Sequence, residues 1–255
     1  MDTPLPEMEP LHKAVYGNDI TRFNHLLEQP EIRARLNGCW GEQCLTIAVV
    51  GGHVEIVRAL ISLPPSVFDF TGKVSPRIFQ FPSSCFNIRI DVPNPEGGAM
   101  YLNKASGSRQ HAVFKLIAET GKVNLSARDE KGATPLHWAS FAGSLSIVNF
   151  LLEQEGINPD GRDDSGLTPL AYAARRDSRD VASRLLEVDG VNPDAEDIEG
   201  KTPLYWAALR GNNEFAMILT DSGRVNEGME LQGFMDRCTQ HYEAQRWHCG
   251  EPWKK

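Results

Sequence analysis

Cysteine is scarce in this chain and never paired as C-x-x-C. The five residues, Cys39, Cys44, Cys85, Cys238 and Cys249, are odd in number and irregularly spaced. That pattern excludes a disulfide-framed domain and fits reduced thiols in the cytosol or nucleus. Long apolar runs are missing as well. Stretches such as "LTIAVV" at residues 45–50 are core-sized and fall short of the roughly 18 residues that suggest a membrane span. The opening "MDTPLPEMEP" is acidic and proline-rich, without the positive start and apolar stretch of a secretory signal. Positive charge is in deficit: 26 Lys and Arg stand against 34 Asp and Glu, for a net charge of −8 and a pI of about 5.4. This balance argues against a nucleic-acid footprint, which needs a basic face. No P-loop, G-x-S-x-G elbow, H-E-x-x-H helix or dinucleotide fingerprint occurs, so no catalytic or cofactor-binding residue is nominated. Cys238, His241, His248 and Cys249 are metal-ligating residue types. His248 and Cys249 are adjacent, however, and a structural zinc site pairs its ligands two to four apart in two knuckles. No metal is expected.

What the chain does have is a repeat. "GATPLHWAS" (132–140), "GLTPLAYAA" (166–174) and "GKTPLYWAA" (200–208) align with Leu136, Leu170 and Leu204 spaced by 34. The same step leads back to Leu102 in "GAMYLNKAS", and it separates Leu45 in "CLTIAVVGGH" from Leu11 in "PLHKAVYGN". Only the step from Leu45 to Leu102 differs; at 57 it carries 23 extra residues. Fifteen residues after these leucines stand Leu26, Leu60, Ile117, Leu151, Leu185 and Leu219, all apolar. Thr134 followed by Pro135 reads as a helix start, since the hydroxyl can cap a free N–H and proline suits the first turn. Gly143 reads as the left-handed stop. Ile147, Val148, Leu151 and Leu152 then form the apolar stripe of a second helix. One such pair cannot bury its own apolar face, whereas stacked neighbours can.

The helix pair headed by T-P-L-H-x-A resembles the ankyrin repeat from about Leu11 to Asn226, most clearly in the units that begin at Asp129, Asp163 and Asp197. The resemblance implies an all-α solenoid of six units at residues 1–226, interrupted by an insertion at 63–97. A C-terminal capping helix and tail occupy 227–255. Departures fall in the first three units, where Gln43-Cys44 and Met100-Tyr101 replace Thr-Pro. Asn18 and Arg109 replace the turn glycine there. The resemblance makes His137 architectural, hydrogen-bonded within and between units. Its counterparts His12, Thr46, Asn103, Ala171 and Tyr205 share no chemistry. Trp138, Tyr172 and Trp206, at one constant position, are expected to pack on neighbouring units rather than to stack nucleic-acid bases.

The 63–97 segment holds six of the 16 prolines and five of the 11 phenylalanines. Within it "FNIRIDV" alternates as a short strand would. Three readings stay open: a projecting binding loop, a tolerated excursion, and a retained intron, because Val74-Ser75 is codable as GTAAGT. In the tail, Leu231, Phe234, Met235, Cys238 and Tyr242 have the spacing of an amphipathic cap.

These features lead to a non-enzymatic, monomeric adaptor that binds a protein partner through its concave face and loop tips, without cofactor, nucleic acid or membrane. The alternative is an enzyme or small-molecule binder with a pocket between insertion and repeats, for which Asp69, Lys73, Arg77 and Arg89 are the charged candidates. For the adaptor, the variable column five residues after each spine leucine (Tyr16, Val50, Gly107, Phe141, Arg175, Leu209) marks the contact face. Arg176, Arg210 and the loop-tip residues Leu167 and Lys201 extend it. The expected partner carries an apolar segment with acidic groups.

Overall fold

The computed structural model describes residues 9–36, 39–71 and 97–225. The strand expected in "FNIRIDV", the capping helix at 227–255 and the four metal-type tail residues lie outside the described residues. Among the described residues all regular structure is helical. The first compact unit, Met1–Glu130, contains α1 (Glu9–Tyr16), α2 (Ile20–Leu27), α3 (Pro30–Arg35), α4 (Cys39–Gly51), α5 (Val54–Ile61), α6 (Gly97–Gly107) and α7 (His111–Ala118). The second, Lys131–Lys255, contains α8 (Pro135–Ala142), α9 (Leu145–Leu152), α10 (Pro169–Ala174), α11 (Arg179–Leu186), α12 (Pro203–Leu209) and α13 (Asn213–Asp221). None of these helices is long and apolar enough to cross a membrane.

Each unit is two layers of helices. In the first, α4 packs between α1 and α6, while α5 packs between α2 and α7. In the second, α10 lies between α8 and α12, and α11 between α9 and α13. The spine leucines 11, 45, 102, 136, 170 and 204 are all buried, at most 5% exposed. Full burial of a leucine contributes about 1.5–3 kcal/mol. In the second column Leu60, Ile117, Leu151, Leu185 and Leu219 are fully buried, whereas Leu26 is only half-buried. Phe23 fills the core at α2, and α3, a helix the repeat pattern does not announce, adds Ile32.

One backbone signature closes all six first-layer helices. Seven residues after the spine leucine, Asn18, Gly52, Arg109, Gly143, Asp177 and Gly211 take φ between 52° and 73°. The next residue then donates its N–H to the carbonyl of an alanine five back: Ala14, Ala48, Ala105, Ala139, Ala173 or Ala207, at 2.8–3.0 Å. These are the six-to-one bonds of a Schellman stop. The alanines are at most 1% exposed, so the column is both acceptor and close-packed floor. The expected stop at Gly143 is thus present, and three non-glycine residues adopt the same left-handed turn. Starts differ more than stops. With Pro135, Pro169 and Pro203 at the first helical position, α8, α10 and α12 begin one residue before the spine leucine. Without that proline, α4 and α6 run 13 and 11 residues.

The described beginning of the 63–97 segment belongs to the core. Phe68 and Phe70 are 2% and 5% exposed, and Phe68 lies so close to Gly41 that a Cβ there would sit 2.5 Å from its ring and 2.2 Å from the Leu36 carbonyl. Asp69 turns locally, accepting the Thr71 N–H and hydroxyl. Lys73, Arg77 and Arg89, the other charged candidates for a pocket, lie outside the described residues. Cys44 is fully buried and free, and burial pushes its thiol up to about 12. It is a core residue rather than a nucleophile.

Candidate partner-binding surface

The second unit assembles the surface around His137. Its Nδ1 accepts the Thr134 backbone N–H at 3.1 Å, which leaves Nε2 to donate to the Leu167 carbonyl at 3.2 Å. The ring thus caps α8 and ties it to the loop of the next repeat, and at 1% exposure no substrate can reach it. The aromatic column is also committed. Tyr172 Oη donates to Asp163 Oδ2 at 2.9 Å, and Trp206 Nε1 donates to Asp197 Oδ2 at 3.0 Å. The other oxygen of each aspartate accepts two loop N–H groups: those of Ser165 and Leu167, and those of Glu199 and Lys201. Each loop tip is therefore stapled to its own helix through an aspartate and an aromatic nine residues apart.

The rings pack edge to face. Trp138 lies 6.1 Å from Phe141 and 6.2 Å from Tyr172, and Phe141 lies 6.1 Å from Tyr172. Buried Ala133, Leu167, Ala171 and Tyr172 form the floor, with Trp138, Phe141 and Trp206 partly buried against it. Cations cover the upper faces. Arg176 Cζ sits 4.6 Å from the Phe141 ring centre, and Arg175 Cζ sits 4.8 Å from that of Trp206. Lys201 Nζ sits 5.0 Å from Trp206 and 5.4 Å from Tyr205. Lys201 is also paired with Glu199, whose carboxylate holds the ammonium above its ordinary range. Such cation–ring contacts contribute about 0.5–1 kcal/mol at exposed sites.

Of the residues expected at this face, Phe141, Arg175, Arg176 and Lys201 come together in one strip. Leu209 is half-buried and Arg210 exposed at the end of α12. Leu167 requires a correction. At 6% exposure its side chain faces the aromatic floor, because the Asp163 staple folds the loop inward, and it cannot serve as an exposed tip contact. In the first unit the same column gives exposed Tyr16 and Gly107 and half-buried Val50, with no comparable set of covered rings among the described residues. The pattern missed Ile198, which is 75% exposed at a loop tip. Its signal was an isoleucine where the other two strong units have Glu130 and Asp164.

Paired helices in two layers, closed by one recurring turn and joined by stapled loops, define a helical-repeat scaffold. Comparison with known families matches residues 116–173 to ankyrin repeats (many copies) and residues 155–229 to ankyrin repeats (3 copies). Residues 116–229 are thus ankyrin repeats. No curated protein matches it significantly. Ankyrin repeats are in general protein–protein interaction modules.

Proposed function

We propose that this protein is a non-catalytic adaptor that holds a partner protein by occupancy. In this reading six ankyrin units, with the 63–97 segment inserted after the second and a helix capping the last, form one array in the cytosol or nucleus. The protein acts as a monomer, without cofactor, metal, nucleic acid or membrane. The contact surface is the concave side of the second unit: Phe141, Arg175, Arg176, Lys201, Leu209 and Arg210, with Leu167 beneath them as support. The observation that carries the proposal is the row of rings with arginines over their faces, Arg176 on Phe141 and Arg175 on Trp206. Aromatics and arginines dominate interface hot spots, and a guanidinium held on a ring loses less freedom on binding.

The test is affinity capture of the partner from the native host with the full chain, followed by the triple variant Phe141→Ala, Arg175→Glu, Leu209→Ala. Capture is expected to fall at least about tenfold while the melting temperature moves by only a few degrees. The arginine's share should weaken with added salt. Unchanged capture, or a collapse of melting in the variant, rejects this surface.

A further inference from the structure

Each second-layer helix begins at a cap residue that directly follows a left-handed turn. Through the six repeats these caps are Asp19, His53, Gln110, Ser144, Ser178 and Asn212. Only Ser144 and Ser178 carry a hydroxyl. Ser144 is buried and follows Phe141, Ala142 and Gly143, none of them charged. Ser178 is half-buried, and its hydroxyl makes no capping hydrogen bond. It follows Arg175, Arg176 and Asp177, and Arg175-Arg176 is the only Arg-Arg pair in the sequence. Two guanidinium groups thus stand three and two residues ahead of a hydroxyl that the fold leaves unspent.

The local structure permits a second protein to take hold of this segment. The arginine side chains rest over Trp206 and Phe141, and they make no hydrogen bond or ion pair among the described residues. None of residues 175–180 is buried. Backbone bonds hold the turn, such as those from the Ser178 N–H to the Ala173 carbonyl and from the Arg179 N–H to the Asp177 carbonyl, both 3.0 Å. Surface ion pairs from Arg179 to Asp177 and Glu214 add to them. The segment can therefore open into extended chain without uncovering core, a local event far less costly than global unfolding. The same cap position also accepts an anion. Asp19, at φ −88° and ψ 85° against −83° and 74° for Ser178, takes the Arg22 N–H on its carboxylate at 2.9 Å. A negative group on Ser178 meets the unpaired first N–H groups of α11, where the helix dipole favours it.

We infer that Ser178 is a phosphorylation site for an arginine-directed serine kinase. A kinase of this class holds guanidinium groups ahead of the target serine on acidic groups of its own cleft, and that charge pattern sets its specificity. Ser178 Oγ attacks the terminal phosphorus of ATP and a P–O bond forms. The bond to the β-phosphate oxygen breaks, ADP leaves, and the hydroxyl proton passes to a carboxylate of the kinase. The site does not depend on the partner surface proposed above, although the phosphate adds a charge of about −1.5 to −2 within three residues of Arg175 and Arg176.

The test is phosphate transfer from ATP by a purified kinase of this class, followed by phosphopeptide mapping. Its substrates are the folded full chain, the Ser178→Ala chain and a synthetic peptide of residues 172–182. The peptide should be phosphorylated on Ser178, and glutamine in place of both arginines should slow transfer at least about tenfold. The full chain should take phosphate on Ser178 at a rate within about a hundredfold of the peptide's, and Ser178→Ala should lose most of the uptake. A peptide that is not a substrate, or is indifferent to its arginines, overturns the recognition. Phosphate that enters the peptide but not the folded chain, or enters the chain mainly elsewhere, overturns the site. Melting of the phosphorylated chain should stay within a few degrees of wild type, and loss of its cooperative transition overturns the accommodation read from Asp19.

Discussion

In the second unit every first-layer helix starts at Thr-Pro and runs six to eight residues, whereas α4 and α6 of the first unit lack the proline and run 13 and 11. The units treat the position after the spine leucine differently as well. His137, Asp163 and Asp197 each tie a loop to a helix through bonds of 2.8–3.2 Å. At the equivalent positions of the first unit, His12 Nε2 and both amide atoms of Asn103 have no partner among the described residues, and neither has the hydroxyl of Tyr101. The same helix pairs can therefore be held in two ways. Where the start signal and the aspartate staple are present, hydrogen bonds fix the loops and free the helix ends for display. Where the Thr-Pro start is missing, the described first-layer helices rest on the burial of Leu45, Ala48, Leu102 and Ala105.

The largest effect should come from charging the spine. Leu170→Asp places a carboxylate between α8 and α12 with no partner, which costs more than about 4 kcal/mol. Thermal unfolding should lose its cooperative transition, and a wild-type melting curve would refute the packing described for Leu170. Next, Gly41→Ala drives a methyl against the Leu36 carbonyl and the Phe68 ring. The expected loss is about 1–3 kcal/mol in urea unfolding. A neutral result would show that residues 64–71 are not packed on α4.

A matched pair of hydroxyl deletions sharpens the comparison further. Tyr172→Phe removes the partner of Asp163 and should destabilise by about 1–2 kcal/mol, while Tyr101→Phe removes an unpartnered hydroxyl and should be neutral or slightly stabilising. Similar losses in both would erase the distinction between the units.

The smallest effect expected is on pH. Burial lowers the pKa of His12 below its ordinary 6.5, so the unfolded chain binds the proton first. Stability should be level above pH 6.5 and decline as pH falls through that value, because the unfolded state then carries more protons. His53 acts in the same direction, also through burial. Urea midpoints between pH 7.5 and 5.5 should fall less in His12→Gln than in wild type, and parallel slopes would rule His12 out as a source.

Much of the scaffold is legible in the residues themselves. The 34-residue step locates the spine leucines, Thr-Pro locates three helix starts, and Gly143 locates a stop. Each is a local signal, read within one turn of chain. The turns at Asn18, Arg109 and Asp177 obscure that code, because the surrounding stop imposes left-handed backbone on residues that do not advertise it. α3 was hidden because its six residues fall outside the period. The surface was legible only as a column. That Arg175 reaches forward to Trp206 while Arg176 reaches back to Phe141 depends on the roughly 100° rotation between consecutive helical residues and on where the neighbouring repeats stand. Leu167 was misplaced for a related reason. A loop-tip position says nothing of an aspartate four residues earlier pulling the chain inward.

The layering of the second unit also governs how it folds. Each of its helices touches its own partner and the helices one repeat away, so its contacts between helices join residues that are close in sequence. Little loop entropy must be surrendered before the first contact forms, and any helix pair can serve as a nucleus from which neighbours are added. Local topology of this kind favours fast folding, and a lesion in one repeat is expected to slow assembly there without preventing nucleation in the next.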